Sequence, residues 1–321
     1  PGLLILTHLK GPGLMKTGMH SAVLLMAYGA PRGTDPEEIR AYYTHIRRGR
    51  PPTEQALSEL VERYRRIGGS PFMAWTERQF QYLRQQLRRH VPDLQVYGAM
   101  KHVPPYIPDV ARRMVEDGIR RVIALVLAPH DSRMIIDAYL EPARPVFARA
   151  GVDLLPIRSW HRNPGYLAAL EHRIRTTLSR FPAPPYVVFT AHSLPQRIQS
   201  WGDPYPHQIR ETAEILAQRL QLPRWGVAYQ SAGHTSEPWL GPDILEVLEA
   251  RAREGTSHVL VVPVGFVCDH LEILWDLDVE AREMARKWGI HLERIPSLND
   301  DPVFLDGLVQ EILQRVEGGQ A

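Results

Sequence analysis

Two segments of the chain repeat one local pattern, and that pattern restricts the folds open to it. Val23–Pro31 reads VLLMAYGAP and Val187–Pro195 reads VVFTAHSLP. Each is a short, β-rich apolar run that ends in Ala, then one functional side chain, two further residues and Pro. The run makes a buried strand, and the proline, lacking a backbone donor, forbids its continuation. The residue after the Ala therefore sits at the carboxyl end of a strand, where open α/β sheets place their chemistry. It is Tyr28 in the first copy and His192 in the second. Two half-sites facing one cleft is the simplest reading.

The rest of the chain supports two similar halves. Val122–His130 (VIALVLAPH) resembles Val259–Val267 (VLVVPVGFV), and Val96–Met100 is loosely matched by Val227–Ser231. Helical stretches are expected at Thr53–Ile67, Thr76–His90, Pro164–Arg180 and His207–Leu220. Strands alternating with helices of this length predict an α/β protein with parallel sheets built from βαβ units. Buried parallel strands are rich in Val and Leu in any protein, so the shared A-x-x-x-P endings carry more weight than the strand bodies.

The 321 residues fit two α/β domains of ordinary size. No apolar run approaches the roughly 20 residues that span a bilayer, so no membrane anchor is expected and the protein is read as cytoplasmic. A net charge of only +2 gives no reason to expect nucleic-acid binding. Of the 38 basic residues only Lys10, Lys16, Lys101 and Lys287 are lysines. The many arginines can hold carboxylates or phosphates with a planar fork, although codon bias explains most of them equally well. The one cysteine, Cys268, excludes an internal disulfide and any cluster held by several cysteines of this chain. Residues 1–18 read as a flexible tail or an upstream extension of the reading frame, with Met19 as a natural start.

The densest polar constellation is GFVCDHLEILWDLDVEAREMARK at 265–287. On one helix, Glu272, Asp276 and Glu280 would spread over only about 80° at about 100° per residue. Asp269 falls inside that arc and Asp278 outside it. An acidic line starting at a strand end fits a path for a cation or a proton. A solvated acidic face, partly neutralised by Arg282 and Arg286, fits the spacing equally well. His192 alone would more often be a hydrogen-bonded structural residue than a ligand. No G-x-S-x-G elbow surrounds Ser193, which argues against a serine hydrolase. Neither first strand is followed by G-x-G-x-x-G, no P-loop occurs, and structural-zinc spacings are absent. An imidazole and carboxylates from one half, facing a Tyr from the other, remain. Histidine and carboxylate are reasonable ligands for a transient Fe²⁺.

With these residues in view, the chain resembles the ferrochelatases, which insert Fe²⁺ into a porphyrin. The matching motifs are MAYGAP (26–31), YYTHIRRGRPP (42–52), IGGSP (67–71), LAPH (127–130), FTAHSLP (189–195) and GDPYP (202–206). QSAGHTSEPWLGPD (230–243) and PVGFVCDHLEILWDLDVEA (263–281) follow in the same order. The resemblance implies two similar Rossmann-like domains, at 19–158 and 159–297, around a porphyrin cleft. A C-terminal helix within 298–321 is expected to pack back on the first domain.

Residue by residue, the resemblance makes His192 the histidine that binds iron and accepts pyrrole protons, with Glu272 as its acidic partner. Asp276 and Glu280 become an outer path for metal or protons that could hold a divalent ion such as Mg²⁺. Tyr28 matches the branch whose substrate is coproporphyrin III. Arg47, Arg63, Tyr64, Ser70 and Tyr139 occupy positions that contact the porphyrin or its carboxylates. The implied protein is a monomer with Fe²⁺ and coproporphyrin III as substrates. It has no permanently bound cofactor or iron–sulfur cluster, and hands its product to the next heme-pathway enzyme in a transient contact. A protoporphyrin IX ferrochelatase, a cobalt or nickel chelatase and a tetrapyrrole carrier are the alternatives. Two positions depart from the pattern. IGGSP lacks a residue that many relatives carry between Gly69 and Ser70. His234 replaces a usual Asn, and its ring either adds a metal ligand or, as favoured, only keeps the hydrogen bonds.

Overall fold

Eight short strands, most of them Val- and Leu-rich, carry the architecture of the computed structural model, which describes residues 20–318. The N-terminal extension and the start at Met19 lie outside the described residues. The first half contributes β1 (Ser21–Ala27), β2 (Gln95–Met100), β3 (Arg121–Val126) and β4 (Asp153–Ile157). The second contributes β5 (Tyr186–His192), β6 (Trp225–Gln230), β7 (His258–Pro263) and β8 (His291–Arg294). They form two four-stranded, wholly parallel sheets of order β2-β1-β3-β4 and β6-β5-β7-β8. The internal repeat read from the sequence is thus a repeat of topology, strand for strand.

Both faces of each sheet are covered, as parallel strands require. In β1 the side chains alternate between two cores: Val23 and Leu25 enter one, Ala22, Leu24 and Met26 the other. The core that holds Val23 also holds Phe189 of β5, so one apolar layer runs between the halves. Helix Pro302–Gly318 belongs to that layer and packs on helix Phe72–His90 of the first half and on helix Pro164–Leu178. The crossing with Pro164–Leu178 is glycine on glycine. A Cβ on Gly307 would stand 2.9 Å from the Gly165 Cα and closer still to Asn163 Oδ1, which leaves no room for any other residue.

The helices start where their residues can cap them. Asp35 and Thr53 accept from backbone N–H groups of helices Pro36–Ile46 and Glu54–Arg66, and Asn163 caps Pro164–Leu178. Helix Phe72–His90 begins four residues before the expected Thr76, directly after Pro71. The edge strands β4 and β8 carried no clear signal in sequence; each pairs on one side only and runs for five and four residues.

In both sheets the chain leaves β1 or β5 in one direction along the sheet and β3 or β7 in the other. The crevice of such a sheet opens at the carboxyl ends of those strands. Tyr28 directly follows β1 and His192 ends β5. The GDPYP turn closes the two halves against each other. Asp203 accepts from Ser132 Oγ at 3.0 Å and from the Arg133 N–H at 2.9 Å, both in the first half.

Candidate functional site

A cavity of about 300 Å³ lies between the carboxyl ends of the two sheets. Tyr28, Tyr64, Ser70, Tyr139, His192 and Glu272 all line it. Positions drawn from both halves of the sequence therefore meet in one place.

His192 is half-buried. Its Nδ1 stands 2.5 Å from the carbonyl oxygen of Ser193. A carbonyl only accepts, so Nδ1 carries the proton and Nε2 keeps the lone pair. Below it, the Tyr205 hydroxyl donates to the His192 carbonyl at 2.9 Å. Room for the loop that faces this ring comes from Gly265, where a Cβ would stand 2.7 Å from that of Ala191. The loop after β7 thereby passes directly over the end of β5.

Glu272 opens the short helix Leu271–Leu274. The Gln230 amide at the end of β6 donates to its carbonyl at 2.8 Å, and Thr190 Oγ1 donates to the other side of that amide at 2.9 Å. His270 Nε2 lies 3.1 Å from Glu272 Oε2 while its Nδ1 lies 2.9 Å from the Cys268 carbonyl. Nδ1 must donate to that carbonyl, which turns Nε2 toward the Glu272 carboxylate.

The acidic line follows, with a change of helix type. Asp276–Ala281 is a π-helical segment, closed by the Glu280 N–H on the Trp275 carbonyl at 2.9 Å, and Arg282–Lys287 returns to α. The extra residue in each turn brings side chains four apart closer to one line than an α-helix does. Asp276 accepts from the Ser231 hydroxyl. Burial, then the charge of Glu272, pushes its carboxyl up to about 7. Glu280 is exposed at the far end.

Asp269, expected in the same arc, lies before the helix begins. It accepts from Ser297 and Asn299 and faces Arg294 at 3.6 Å, a structural clamp. Asp278 is held by two Arg294 nitrogens, each at 2.8 Å, on another side.

Arg47 and Arg63 do not line the cavity. Arg47 caps helix Pro36–Ile46, lies over the Tyr43 ring at 5.6 Å and donates to the Arg50 carbonyl. Arg63 lies 5.6 Å over the ring of Trp275, and Arg66 lies 5.2 Å over the same ring. Trp275 is thus the wedge that docks the acidic run on helix Glu54–Arg66. His234 is exposed and lines neither this cavity nor its neighbour.

The neighbour is an open cavity of about 1040 Å³ that shares Tyr28, Lys101 and Met134 with the first. Sequence reasoning missed its key residue, Lys101. This lysine follows β2, and its ammonium lies 5.7 Å from the Tyr28 ring centroid and 5.1 Å from that of Tyr139. Burial, then Arg48, lowers its pKa. Among the described residues it makes no ion pair. Next to it, burial and the Lys101 charge depress His102 to about 3. His102 Nδ1 meets His45 Nδ1 at 2.9 Å. The signal available was position: Lys101 stands at a strand's carboxyl end, as Tyr28 and His192 do. Burial, then the charge of Glu272, raises the phenol of Tyr28, so it faces the cavity un-ionised.

Comparison with known proteins bears directly on this geometry. The family model for ferrochelatase matches residues 20–316. The chain belongs to the ferrochelatase family. A ferrochelatase of Herpetosiphon aurantiacus is 45% identical over 309 residues, which cover 94% of this chain and 99% of that one. The Thermus thermophilus ferrochelatase is 43% identical, over 89% and 96%. A coproporphyrin III ferrochelatase of Anoxybacillus flavithermus is 37% identical, over 92% and 96%. Among solved structures, SirB from Bacillus subtilis with Fe³⁺ aligns with a TM-score of 0.61 at 10% identity, over 94% and 97% of the chains. That last likeness concerns the fold alone. As a ferrochelatase the protein inserts metal into a porphyrin, a step of heme biosynthesis. Among the described residues no helix is long and apolar enough to cross a membrane, and no three His, Cys, Asp or Glu side chains form a metal cluster.

Proposed function

We propose that this ferrochelatase inserts Fe²⁺ into coproporphyrin III, releasing two protons and giving the iron coproporphyrin. The observation that carries the choice of porphyrin is Lys101. Its ammonium is half-buried beside two aromatic rings, with Glu141 near but making no ion pair to it, so an anionic group of a ligand would be well placed to join it. Arg48 lines the outer cavity with Lys101. A macrocycle in the inner cavity would direct peripheral carboxylates toward both. Coproporphyrin has four such groups and protoporphyrin two, so protoporphyrin would leave more donors unpaired. The relatives named for coproporphyrin III support the same reading.

His192 is the base in this mechanism. Its Nε2 lone pair takes a pyrrole proton while Fe²⁺ approaches, and imidazole suits that transfer near neutral pH. Glu272 is its acidic partner in the same cavity, with Asp276 next along the acidic line. A metal site of one histidine and one carboxylate holds Fe²⁺ weakly enough to surrender it to four ring nitrogens. Carboxylate contacts at the rim supply binding energy that can hold the ring bent, exposing its nitrogen lone pairs.

The test is an anaerobic comparison of kcat/KM for coproporphyrin III and protoporphyrin IX with Fe²⁺, in matched detergent. One unpaired buried donor costs about 1–3 kcal/mol, a preference of roughly five- to hundredfold for coproporphyrin III. Equal or reversed values would place the chain with the protoporphyrin enzymes.

A further inference from the structure

Gln79 lies in helix Phe72–His90 of the first half, yet its amide hydrogens go to the second half. Nε2 donates to the Asn299 carbonyl at 2.8 Å and to the Val267 carbonyl at 3.3 Å. Carbonyls only accept, so the amide has one orientation and Oε1 points away from both. The side chain is fully buried and lines the cleft cavity.

Those two carbonyls belong to one folded unit. The Asn299 N–H donates to the Val267 carbonyl at 2.9 Å, and the Asp269 N–H donates to Asn299 Oδ1 at 2.9 Å. Asn299 does this with a left-handed backbone, φ 49°, which asparagine adopts more readily than most residues. Gln79 supplies the hold from the other half of the molecule. Val267 follows Phe266, whose ring centroid is 6.4 Å from that of His192 and 4.8 Å from that of His270. The same loop runs on to Glu272. The position of the loop therefore sets how Glu272 stands against His192 at the end of β5.

The amide oxygen is left over. Gln79 Oε1 and, one helical turn earlier, Thr76 Oγ1 are buried without a hydrogen-bond partner among the described residues. The Cys268 thiol beside Thr76 is a weak partner. Both residues line the cavity, and their spacing puts them on one helix face. A water can donate to Oε1 and accept from the Thr76 hydroxyl, and unpaired polar groups in a cavity wall are where ordered water sits.

We propose that Gln79 is a positioning residue for metal insertion: its N–H groups hold the loop that sets Glu272 against His192, and one water bound by its Oε1 and Thr76 Oγ1 locks the amide. With that water in place both ends of the amide are satisfied. Turning the amide over would set its oxygen against two carbonyl oxygens. The role rests on the reading of His192 and Glu272 as the metal pair.

Gln79→Met is close in size and removes both the donors and the acceptor. In anaerobic assays its kcat/KM for Fe²⁺ should fall about tenfold, inside the roughly hundredfold that a 1 Å misplacement can cost. KM for the porphyrin should not change. Gln79→Glu, kept neutral by burial, retains one O–H for the Asn299 carbonyl and an oxygen for the water, so it should lose less than the Met variant. It decides the matter alone if Gln79→Met does not fold. A purely structural Gln79 would lower stability to urea and leave both constants of the folded variants unchanged, which overturns the proposal. Equal losses for Fe²⁺ and porphyrin, or a Glu variant as damaged as the Met variant, overturn it as well. A crystal structure of the full chain should show one water within reach of Gln79 Oε1 and Thr76 Oγ1; no density, or a metal ion, overturns the lock. His192→Ala in the same assay keeps the two readings apart. Normal metalation by that variant would overturn the metal pair itself, whatever the Gln79 variants do.

Discussion

His192 Nδ1 donates to the carbonyl oxygen of Ser193, its own neighbour in sequence, at 2.5 Å. That bond sets the tautomer before any substrate arrives and leaves Nε2 as the basic nitrogen. Replacing His192 by Ala should lower kcat for metalation by at least about a hundredfold, the lower range for a lost general base. Porphyrin affinity, read by fluorescence quenching, should stay within a few-fold of wild type. A variant that metalates normally would remove His192 from the mechanism.

Glu272→Gln replaces a carboxylate by an amide that can neither accept a proton nor offer the same charge to Fe²⁺. The expected result is a large fall in kcat together with weaker apparent binding of Fe²⁺. Anaerobic absorption assays over a range of Fe²⁺ concentrations measure both. Wild-type values for the two would dissociate Glu272 from the metal.

Asp276 makes stability depend on pH. Its folded pKa is raised, from 3.8 to about 7, so its contribution is fully present below pH 3.8 and is lost as pH rises through 7. Each pH unit between those two values is worth at most about 1.4 kcal/mol, less where solvent screens this half-buried carboxyl. In metal-free protein, Asp276→Asn should therefore gain stability over wild type progressively as pH rises from about 4 to about 7. Urea unfolding with a chelator present checks this, and a flat difference would contradict the buried position of the carboxyl.

Lys101→Met keeps the length of the side chain over Tyr28 and Tyr139 and removes the ammonium. We expect kcat/KM for coproporphyrin III to fall about tenfold, the value of one charge-assisted hydrogen bond. Protoporphyrin IX, with fewer carboxylates, should lose less. Equal losses on both would mean that Lys101 supports the wall and does not select the porphyrin.

Gly265→Ala would press a methyl group to 2.7 Å from the Ala191 Cβ. The loop carrying Phe266 would have to lift from β5, at a cost of about 1–3 kcal/mol. Thermal unfolding should show the loss, and kcat should fall more than porphyrin affinity because the loop faces His192.

Much of the site was legible because strand ends are local. A run such as VVFTAHSLP specifies a buried strand, its stop and the residue left at its mouth, without reference to the rest of the chain. Tyr28 and His192 were found that way. Lys101 obeys the same rule but follows a strand weakened in sequence by Gly98, whose pattern was only loosely visible. The arginines show the opposite case. Arg47 lies in a family motif and Arg63 at a position the resemblance singles out, and their long side chains turn onto Tyr43 and Trp275; the direction of a long flexible side chain is set by what packs around it.

The acidic helix shows the same division. Its residues and their order were plain in sequence, whereas its π-helical turn, and the packing of Trp275 and Leu271 beside it on helix Glu54–Arg66, are seen only in the structure. Sequence alone determined the two similar halves, the parallel sheets, the strand-end Tyr28 and His192, and the acidic run. Those features rest on near-neighbour patterns of apolar residues, prolines and charges. Only the tertiary structure decided that Lys101 reaches the cleft, that Asp269 is a clamp, and that Gln79 of the first half holds the loop after β7. Each of these depends on contacts between segments far apart in the chain, where burial and hydrogen bonding set both orientation and charge.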